Sequence, residues 1–323
     1  MLLFGVLVIA AAATTGYWLW TASRLRDGLE KWADQRRARG DALAWRKETV
    51  GGFPLSFRFV LADLSMAHGS AYRVVVPEII GVASAWNLKR WHLAAPRGGS
   101  GTAQGIEAPI AAQSALGEVV LGDRSSDVGL AIQRLQSEGA TAGELITHFT
   151  VPSQEPRSHR DIGLIAAAQL YHLVLPKPVI ALGNTIESLA LNLAVMGRLP
   201  PEDWRQALAA WRDDGGTVEV RQAGLQWGSL WLEMNGTLAL DHDLQPTAAM
   251  TASILDHDAL IDAAVAAGTL SQKSGAVAKL ALDLIARHQA DGRMRLTAPV
   301  TLEDGELSIG RATIGRVPHI EWR

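Results

Sequence analysis

Two tripeptides combine residue types that can ligate a divalent metal: Asp-His-Asp occurs at 241–243 and again at 256–258. Carboxylate oxygens and imidazole nitrogens are ordinary ligands of such ions. A structural interpretation is stronger for both, because the first tripeptide follows a strand pattern in a turn and the second begins a helix, where Asp256 is a preferred N-cap residue. We therefore predict no metal site and no cofactor.

The other reactive residues form no catalytic pattern. The nine histidines are scattered, and no metalloprotease, serine-hydrolase or nucleotide-binding motif includes them. His172 lies in an apolar segment, which favours a paired core residue. The glycine-rich stretch 97–105 lacks the Lys-Ser/Thr ending of a phosphate loop and is interpreted as a flexible connection. A hydrolase would need two acids in one cleft, and no spacing brings two together. We predict that the protein is not an enzyme.

Composition excludes further classes. Thirty basic residues against 33 acidic ones give a net charge of −3, so nucleic acid is not an expected partner. The absence of cysteine excludes a disulfide framework and thiolate chemistry, and it fits either redox compartment. A chain of 323 residues can form one or two domains.

The first 23 residues carry no charged side chain and are long enough to span a bilayer. Tyr17, Trp18 and Trp20 stand at the end of this segment, where aromatic residues favour the membrane interface. A cleaved signal peptide is the alternative, but the segment has no basic start and its apolar run continues past Ala13. We predict a transmembrane anchor at 1–23.

Orientation is less clear from the charges. Six basic residues follow the span within residues 24–39, which by itself favours a cytoplasmic C-terminus. Acidic residues are interspersed, and long domains cross the membrane largely regardless of flanking charge. We predict a juxtamembrane helix at 24–49 and an extracytoplasmic β-rich domain at 50–323, with a subdivision near the polar segment 153–161.

Period-two alternation dominates the rest of the chain and predicts a mainly antiparallel α+β fold, a large curved, open sheet or groove with a few helices packed on it. The clearest strands are 53–59 and 294–302, and the segments 163–175 and 184–197 are apolar on both faces. Other predicted strands are 72–76, 86–93, 117–122, 128–135, 143–151, 217–222, 229–240, 247–255 and one after 303. Predicted helices are 201–213, 257–267 and 270–288, the last with Arg287 and His288 in its final turn.

Several segments, in this order, resemble an uncharacterised bacterial family called domain of unknown function 2125. They are GYWLW leading to LEKWADQRRARG, GGFPLSFRF, ALGNTIESLALNLAVMG, VEVRQAGLQWGSLWLEMNGTLALD and LEDGELSIGRATIGRVP. The resemblance implies a single-span protein of the Gram-negative inner membrane, with most of the chain periplasmic. The sheet pattern is also similar to that of AsmA-like proteins, which implies an apolar groove for lipid.

Our functional hypothesis is binding or transfer of a lipid or other hydrophobic ligand, with the inner membrane as the partner of the N-terminal helix. The alternative is a non-enzymatic envelope scaffold or adaptor that binds another protein. Apolar strand faces carry the candidate lipid-facing residues. These are Phe53, Leu55, Phe57, Phe59, Leu230, Leu232, Met234, Met294, Leu296 and Val300.

Overall fold

A computed structural model describes residues 2–69, 71–103, 108–200, 204–268, 270–285, 287–288, 294–310 and 312–320. Only the backbone is described at residues 2–12, 204, 281, 283–285, 287–288, 294, 312 and 314. The chain forms two compact units. Unit 1 comprises residues 1–122 and 127–139, and unit 2 comprises residues 123–126 and 140–323.

In the part of the chain that the structure describes, unit 1 has one long helix followed by strands. The elements are α1 (Leu2–Ala38), β1 (Ala42–Ala44), β2 (Lys47–Gly51), β3 (Ser56–His68), β4 (Tyr72–Ser84), β5 (Asn87–Ala95), β6 (Gly99–Ala103), β7 (Ile110–Leu121) and β8 (Ser125–Ser137). Strand β3 pairs antiparallel with β1, β2 and β4. Strands β5 and β6 both pair antiparallel with β4 on one side and β7 on the other. Strands β5 and β6 therefore lie one after the other between β4 and β7.

Unit 2 is an antiparallel meander with helices inserted between strands. Its elements are β9 (Ala140–Pro152), β10 (Ile162–Val179), β11 (Gly183–Met196), α2 (Trp204–Asp213), β12 (Val218–Trp227), β13 (Leu230–Leu240), β14 (Pro246–Leu255), α3 (His257–Ala266), α4 (Gln272–Ile285), β15 (Arg287–His288), β16 (Met294–Glu303), β17 (Glu306–Ile309) and β18 (Ala312–Arg316). Strands β9 to β14 pair in sequence order. Strand β16 then pairs with β14, β15 and β17, and β17 pairs with β18.

The prediction of a mainly antiparallel α+β fold is confirmed. The two segments that are apolar on both faces form β10 and β11, which pair with each other over most of their length. The alternation after residue 293 forms β16, and a turn at Asp304-Gly305 leads into β17. The helix predicted at 201–213 is observed from Trp204, and residues 201–203 lie outside the described residues. Strong hydrophobic periodicity was thus sufficient to locate these elements.

The strand predicted at 53–59 is wrong in its first half. Residues 53–55 form a turn, and β3 begins only at Ser56. Gly52 has a φ of +100°, and the backbone N–H of Ser56 donates to the Gly52 carbonyl at 3.0 Å. Pro54 has no N–H to donate to a neighbouring strand, which disfavours regular pairing there.

The flexible connection predicted at 97–105 is also wrong, because residues 99–103 form β6. Strand β6 pairs through Gly101 with Val74 of β4 and with Ile110 of β7. Glycine composition normally weakens a strand, but here it allows close approach of backbones. A Cβ at Gly99 would lie 2.7 Å from the Val75 carbonyl oxygen. Residues 104 and 105 lie outside the described residues.

Two predicted boundaries differ from the structure. The helix ends at Ala38 rather than at residue 49, because Gly40 adopts a φ of +92° and β1 and β2 follow. The polar segment 153–161 is not a boundary between units. It joins β9 to β10, which are paired antiparallel neighbours, so it is a hairpin loop within unit 2.

The helices after β14 begin where predicted but differ in detail. Asp256 precedes α3, yet it is in the left-handed region and its side chain makes no capping hydrogen bond. The second helix, α4, ends at Ile285, and Arg287 and His288 form the short strand β15 rather than a last helical turn. Pairing with β16 replaces the helical hydrogen bonds at these two residues.

The core of unit 2 lies between its sheet and the helices α3 and α4. Leu230, Ile254 and Leu296 are buried on neighbouring strands, and Ala259 and Ala263 of α3 lie in the same cluster. Small alanines on α3 bring that helix close to the sheet, so the three large side chains are enclosed. This part of the sheet face is filled by the protein's own helices.

We expect Leu296→Ala to destabilise unit 2 by about 2–5 kcal/mol, because it removes a fully buried side chain and leaves a cavity. The control Leu280→Ala, on the exposed side of α4, should change stability by less than about 0.5 kcal/mol. Hydrogen exchange measured by mass spectrometry on β13, β14 and β16 peptides checks this. Equal exchange in the two variants would contradict the proposed core.

Candidate functional site

Unit 1 contains an open apolar cavity of about 500 Å³ that is lined by strands β4 to β8. Its wall includes Val74 and Ile79 from β4, Leu93 from β5, Ile110 from β7 and Leu130 from β8. Among the described lining residues, only Tyr72, Ser100 and Thr102 carry a polar side-chain atom. We call this space the unit 1 cavity.

The cavity exists because small residues occupy the middle of its wall. Small residues stand where larger side chains would fill the space. They are glycines of β6 and of the turn before it and alanines of β5 and β7, namely Gly98, Gly99, Gly101, Ala94, Ala95, Ala112 and Ala115. A tightly packed interior normally leaves few voids larger than a water molecule. An open apolar space of this size is therefore an exception to normal packing.

The transition from β5 to β6 helps to form the cavity. Pro96 cannot donate a backbone hydrogen bond, and Gly98 adopts a φ of +59°. A Cβ at Gly98 would lie only 1.8 Å from the carbonyl oxygen of Ala112. Glycine is thus required at this position both for the backbone conformation and for the close approach of β7.

A polar cluster lies next to Tyr72, at one end of the cavity. The Asp41 carboxylate receives a hydrogen bond from the Tyr72 hydroxyl at 3.0 Å and lies 2.8 Å from Nδ1 of His68. Its second oxygen lies 2.7 Å from Nε of Arg36, and Nη2 of Arg36 donates to the Tyr72 hydroxyl at 2.9 Å. We call these four residues the Asp41 cluster. It fastens the end of α1 to β3 and β4.

The partners of Asp41 determine its protonation. Burial by itself would raise the pKa of this carboxyl group, but hydrogen bonds from His68 and Tyr72 and the charge of Arg36 together hold the pKa below its usual value. Burial and the hydrogen bond to Asp41 raise the pKa of Tyr72. Asp41 is therefore a carboxylate, and Tyr72 keeps its proton, at neutral pH.

A second contact attaches α1 to the strands of unit 1 near the middle of the helix. The indole of Trp18 stacks on the buried ring of Phe57 with centroids 5.5 Å apart, and its Nε1 donates to the Ser56 carbonyl at 2.9 Å. The Tyr17 hydroxyl donates to the Ala85 carbonyl at 3.1 Å. Of the three predicted membrane-interface residues, Tyr17 and Trp18 thus contact residues at the ends of β3 and β4 in unit 1.

Trp20 faces solvent. Its side chain is 59% exposed, and the guanidinium of Arg24 lies 5.4 Å from its ring centroid. Among the described residues, no helix combines the length and the apolar character needed to cross a bilayer. The predicted anchor at 1–23 stays a prediction.

The four predicted lipid-facing residues around β3 do not line the unit 1 cavity. Phe57 is buried under Trp18, and Phe53 contacts the same indole edge-on at 5.7 Å. Phe59 contacts Trp91 at 5.6 Å. Leu55 is 66% exposed in the turn before β3. This stripe packs mainly against α1 and neighbouring strands.

The predicted lipid-facing residues of unit 2 are divided between a filled and an open part of the sheet. Leu230 and Leu296 are buried in the core beneath α3, and Val300 packs against that core. Leu232 and Met234 also pack there, but they line an open apolar pocket of about 350 Å³ as well. The side chain of Met294 lies outside the described residues.

Unit 2 therefore has an apolar face that is only partly covered. Cross-strand pairing places Leu170, Leu189, Leu225 and Leu232 in one row that runs into the 350 Å³ pocket. A second pocket of about 540 Å³, lined in part by Leu164 and Trp211, lies farther along these strands. Helices α3 and α4 cover the rest of the same face, at β13, β14 and β16.

Sequence reasoning missed the unit 1 cavity because its wall is rich in alanine and glycine. Such residues give little hydrophobic periodicity, so strands β5 to β7 carried weak or no signals. The available signal was the density of small residues between Ala94 and Gly117. Strands built from small residues leave room beside them, whereas a stripe of large residues fills its own space.

The two Asp-His-Asp tripeptides lie in a turn and at the start of a helix. The Asp241 carboxylate accepts the backbone N–H groups of Asp243 and Gln245 and so closes a turn. His257 is buried at the start of α3. Among the described residues, no three His, Cys, Asp or Glu side chains are grouped to hold a metal ion.

A protein-family model described as "Uncharacterized protein conserved in bacteria (DUF2125)" matches residues 18–318. Comparison with curated proteins and with solved structures gave no match. The family model covers both units and the described part of α1 from Trp18 onward. Its description assigns no reaction and no ligand.

We expect Asp41→Asn to destabilise unit 1 at pH 7, since it weakens the hydrogen bonds and the ion pair of a buried carboxylate. The pKa of Asp41 is lowered in the folded state, so this stabilisation is complete above the unfolded value of about 3.9 and is lost as pH falls through the folded value. We expect the difference in urea unfolding midpoint between the unchanged protein and Asp41→Asn to persist down to about pH 5 and to shrink below about pH 4.

Asp27→Asn, on an exposed position of α1, is the control and should change the midpoint little at pH 7. A difference for Asp41→Asn that stays constant down to about pH 2 would contradict the role of the ionised carboxylate.

Proposed function

We propose, for a chain that belongs to the uncharacterised bacterial family DUF2125, that it binds the hydrocarbon chain of a lipid in the unit 1 cavity. The proposed role is binding or transfer rather than catalysis. The proposed location is the periplasmic side of the inner membrane, with the N-terminal segment as the anchor.

The size and lining of the cavity support this proposal. Its volume of about 500 Å³ is within the range of about 300–1,000 Å³ that is usual for small-molecule sites. The wall is almost entirely apolar, so a polar metabolite would lose hydrogen bonds to water without replacement. A hydrocarbon chain loses none.

The shape of the cavity favours a single extended chain. Tyr72 and Ile79 line the cavity from one strand, and at a rise of about 3.3 Å per residue they are about 23 Å apart. Burial of about ten methylene groups contributes about 8 kcal/mol before the costs of association. That gross value sets a limit of about 1 μM on the Kd, and the costs of association make the binding weaker, which suits a carrier that must also release its ligand.

The N-terminal segment supports the proposed anchor. Residues 1–23 carry no charged side chain, and α1 continues without interruption from this segment to Ala38, with the contacts of Tyr17 and Trp18 at the end of the segment itself. The exposed Trp20 with Arg24 above it has the character of a membrane-interface pair. In this proposal, α1 holds the cavity close to the source of its ligand.

Photo-crosslinking of the full chain in amphipol tests the proposal. A photoreactive palmitate should label peptides of β4 to β8. Ala112→Trp, at a wall position, should reduce this labelling about tenfold or more, because the indole occupies the space of several methylene groups. Ala111→Trp is the matched control, since neighbouring strand residues point to opposite faces and Ala111 is exposed. Labelling of α1 peptides is an internal reference.

Labelling that is equal in both tryptophan variants, or confined to α1, would contradict lipid binding in the cavity. Co-purification of a stoichiometric protein partner with a cavity that takes no label would support the envelope scaffold instead.

The anchor is tested separately by deleting residues 2–16, which leaves Tyr17 and Trp18 and their contacts with unit 1 in place. We expect the full chain to sediment with inner membranes after a carbonate wash and the shortened chain to stay in the supernatant with an unchanged circular dichroism spectrum. A full chain that washes off would refute the anchor. A C-terminal alkaline phosphatase fusion, active only outside the cytoplasm, reports the orientation.

A further inference from the structure

The wall of the unit 1 cavity changes in polarity along its length. Among the described lining residues, the polar side chain on the cavity face is that of Tyr72. Cross-strand pairing places Thr102 opposite Arg73 and Ser100 opposite Val75, between the wall residues of β4, so these two side chains point to the other face of the sheet. Farther along β4, at Ile79, the wall consists of side chains such as Leu93 and Leu116. The cavity therefore has one polar end and one apolar end.

The Asp41 cluster extends the polar end beyond the wall. His68 stacks beside the Tyr72 ring, with centroids 6.1 Å apart. The Arg36 side chain is 32% exposed and that of His68 is 48% exposed, whereas the Asp41 carboxylate is only 3% exposed. The single acid of the cluster is thus covered by its partners, and the groups that reach solvent are a cation and an imidazole.

The surroundings have the same character. Arg39, which lies between α1 and Asp41 in the chain, is also exposed. Near the other end, the carboxylates form ion pairs with arginines. Glu78 lies 3.8 Å from Arg97, and Glu118 lies 3.5 Å from Arg90. Arg36, whose carboxylate partner is covered, is therefore a partly exposed cation next to the polar end of the wall.

From this geometry we infer that the ligand is a single-chain amphiphile with an anionic head, bound with its head at the Asp41 cluster and its tail toward Ile79 and Leu93. This inference rests on the proposed function and adds the class and the orientation of the ligand. Arginine recognises phosphate and carboxylate oxygens through charge-assisted hydrogen bonds, so Arg36 is the group that would hold the anionic head.

Three competitors with the same oleoyl chain test the head separately from the tail. They are oleate, oleoyl-lysophosphatidylglycerol and the neutral monoolein. Each competes with a neutral photoreactive fatty alcohol for labelling of the cavity in the full chain in amphipol. We expect the two anionic ligands to halve the labelling at concentrations about tenfold lower than monoolein, which is the usual effect of one hydrogen bond to a charged group.

Arg36→Gln should remove this preference and leave competition by monoolein unchanged, which also shows that the variant is folded. Arg97→Gln is the matched control, because it removes the same charge near the apolar end. If Arg36→Gln does not fold, His68→Gln tests the same preference at the more exposed member of the cluster.

The outcomes separate the two proposals. Equal competition by all three ligands overturns the anionic head and leaves lipid binding standing. A preference that Arg36→Gln and Arg97→Gln reduce equally overturns the assigned orientation. Failure of the fatty alcohol to label the cavity, with no competition by any ligand, overturns the proposed function itself.

Discussion

An antiparallel sheet with one apolar face must either cover that face with its own side chains or leave it open to something else. In unit 2, alanines on α3 allow the helix to approach Leu230, Ile254 and Leu296 closely enough to enclose them. In unit 1, alanine and glycine lie within the sheet, between β4 and β8, and among the described residues no large side chain fills the space beside them. The same residue type therefore has opposite effects. Small residues on a covering helix close a core, and small residues on the sheet create a cavity.

The N-terminal helix is fastened to unit 1 by two contacts of different chemistry. Near its middle, the indole of Trp18 stacks on Phe57 and donates one hydrogen bond to the backbone. Near its end, Arg36 and the following Asp41 join His68 and Tyr72 in a network with a covered carboxylate. Aromatic packing is insensitive to pH, whereas the network depends on an ionised acid whose pKa its neighbours lower. The two attachments should thus fail under different conditions.

Much of the fold could be predicted from the sequence, because long strands such as β10, β11 and β16 have strong hydrophobic patterns. The errors arose where another constraint prevailed. Pro54 and Gly52 impose a turn on an alternating segment, and glycines that suggested a loose connection form β6. The site was harder to predict. The alternation at Leu230 and Leu296 is compatible with an exposed apolar face of the sheet, but only the tertiary arrangement shows that α3 covers these side chains. The wall of the unit 1 cavity gave no stripe, since absence of bulk has no periodic signal.

Tyr72 belongs both to the wall of the cavity and to the network that holds α1. One side of its ring faces the space that we assign to the ligand, and its hydroxyl is shared between Arg36 and Asp41. A ligand that shifts this ring also changes the hydrogen bonds that attach α1. By thermodynamic reciprocity, a force on α1 that shifts the ring changes the affinity of the cavity for its ligand. Ligand binding in the cavity and attachment of α1 therefore both depend on the position of the Tyr72 side chain.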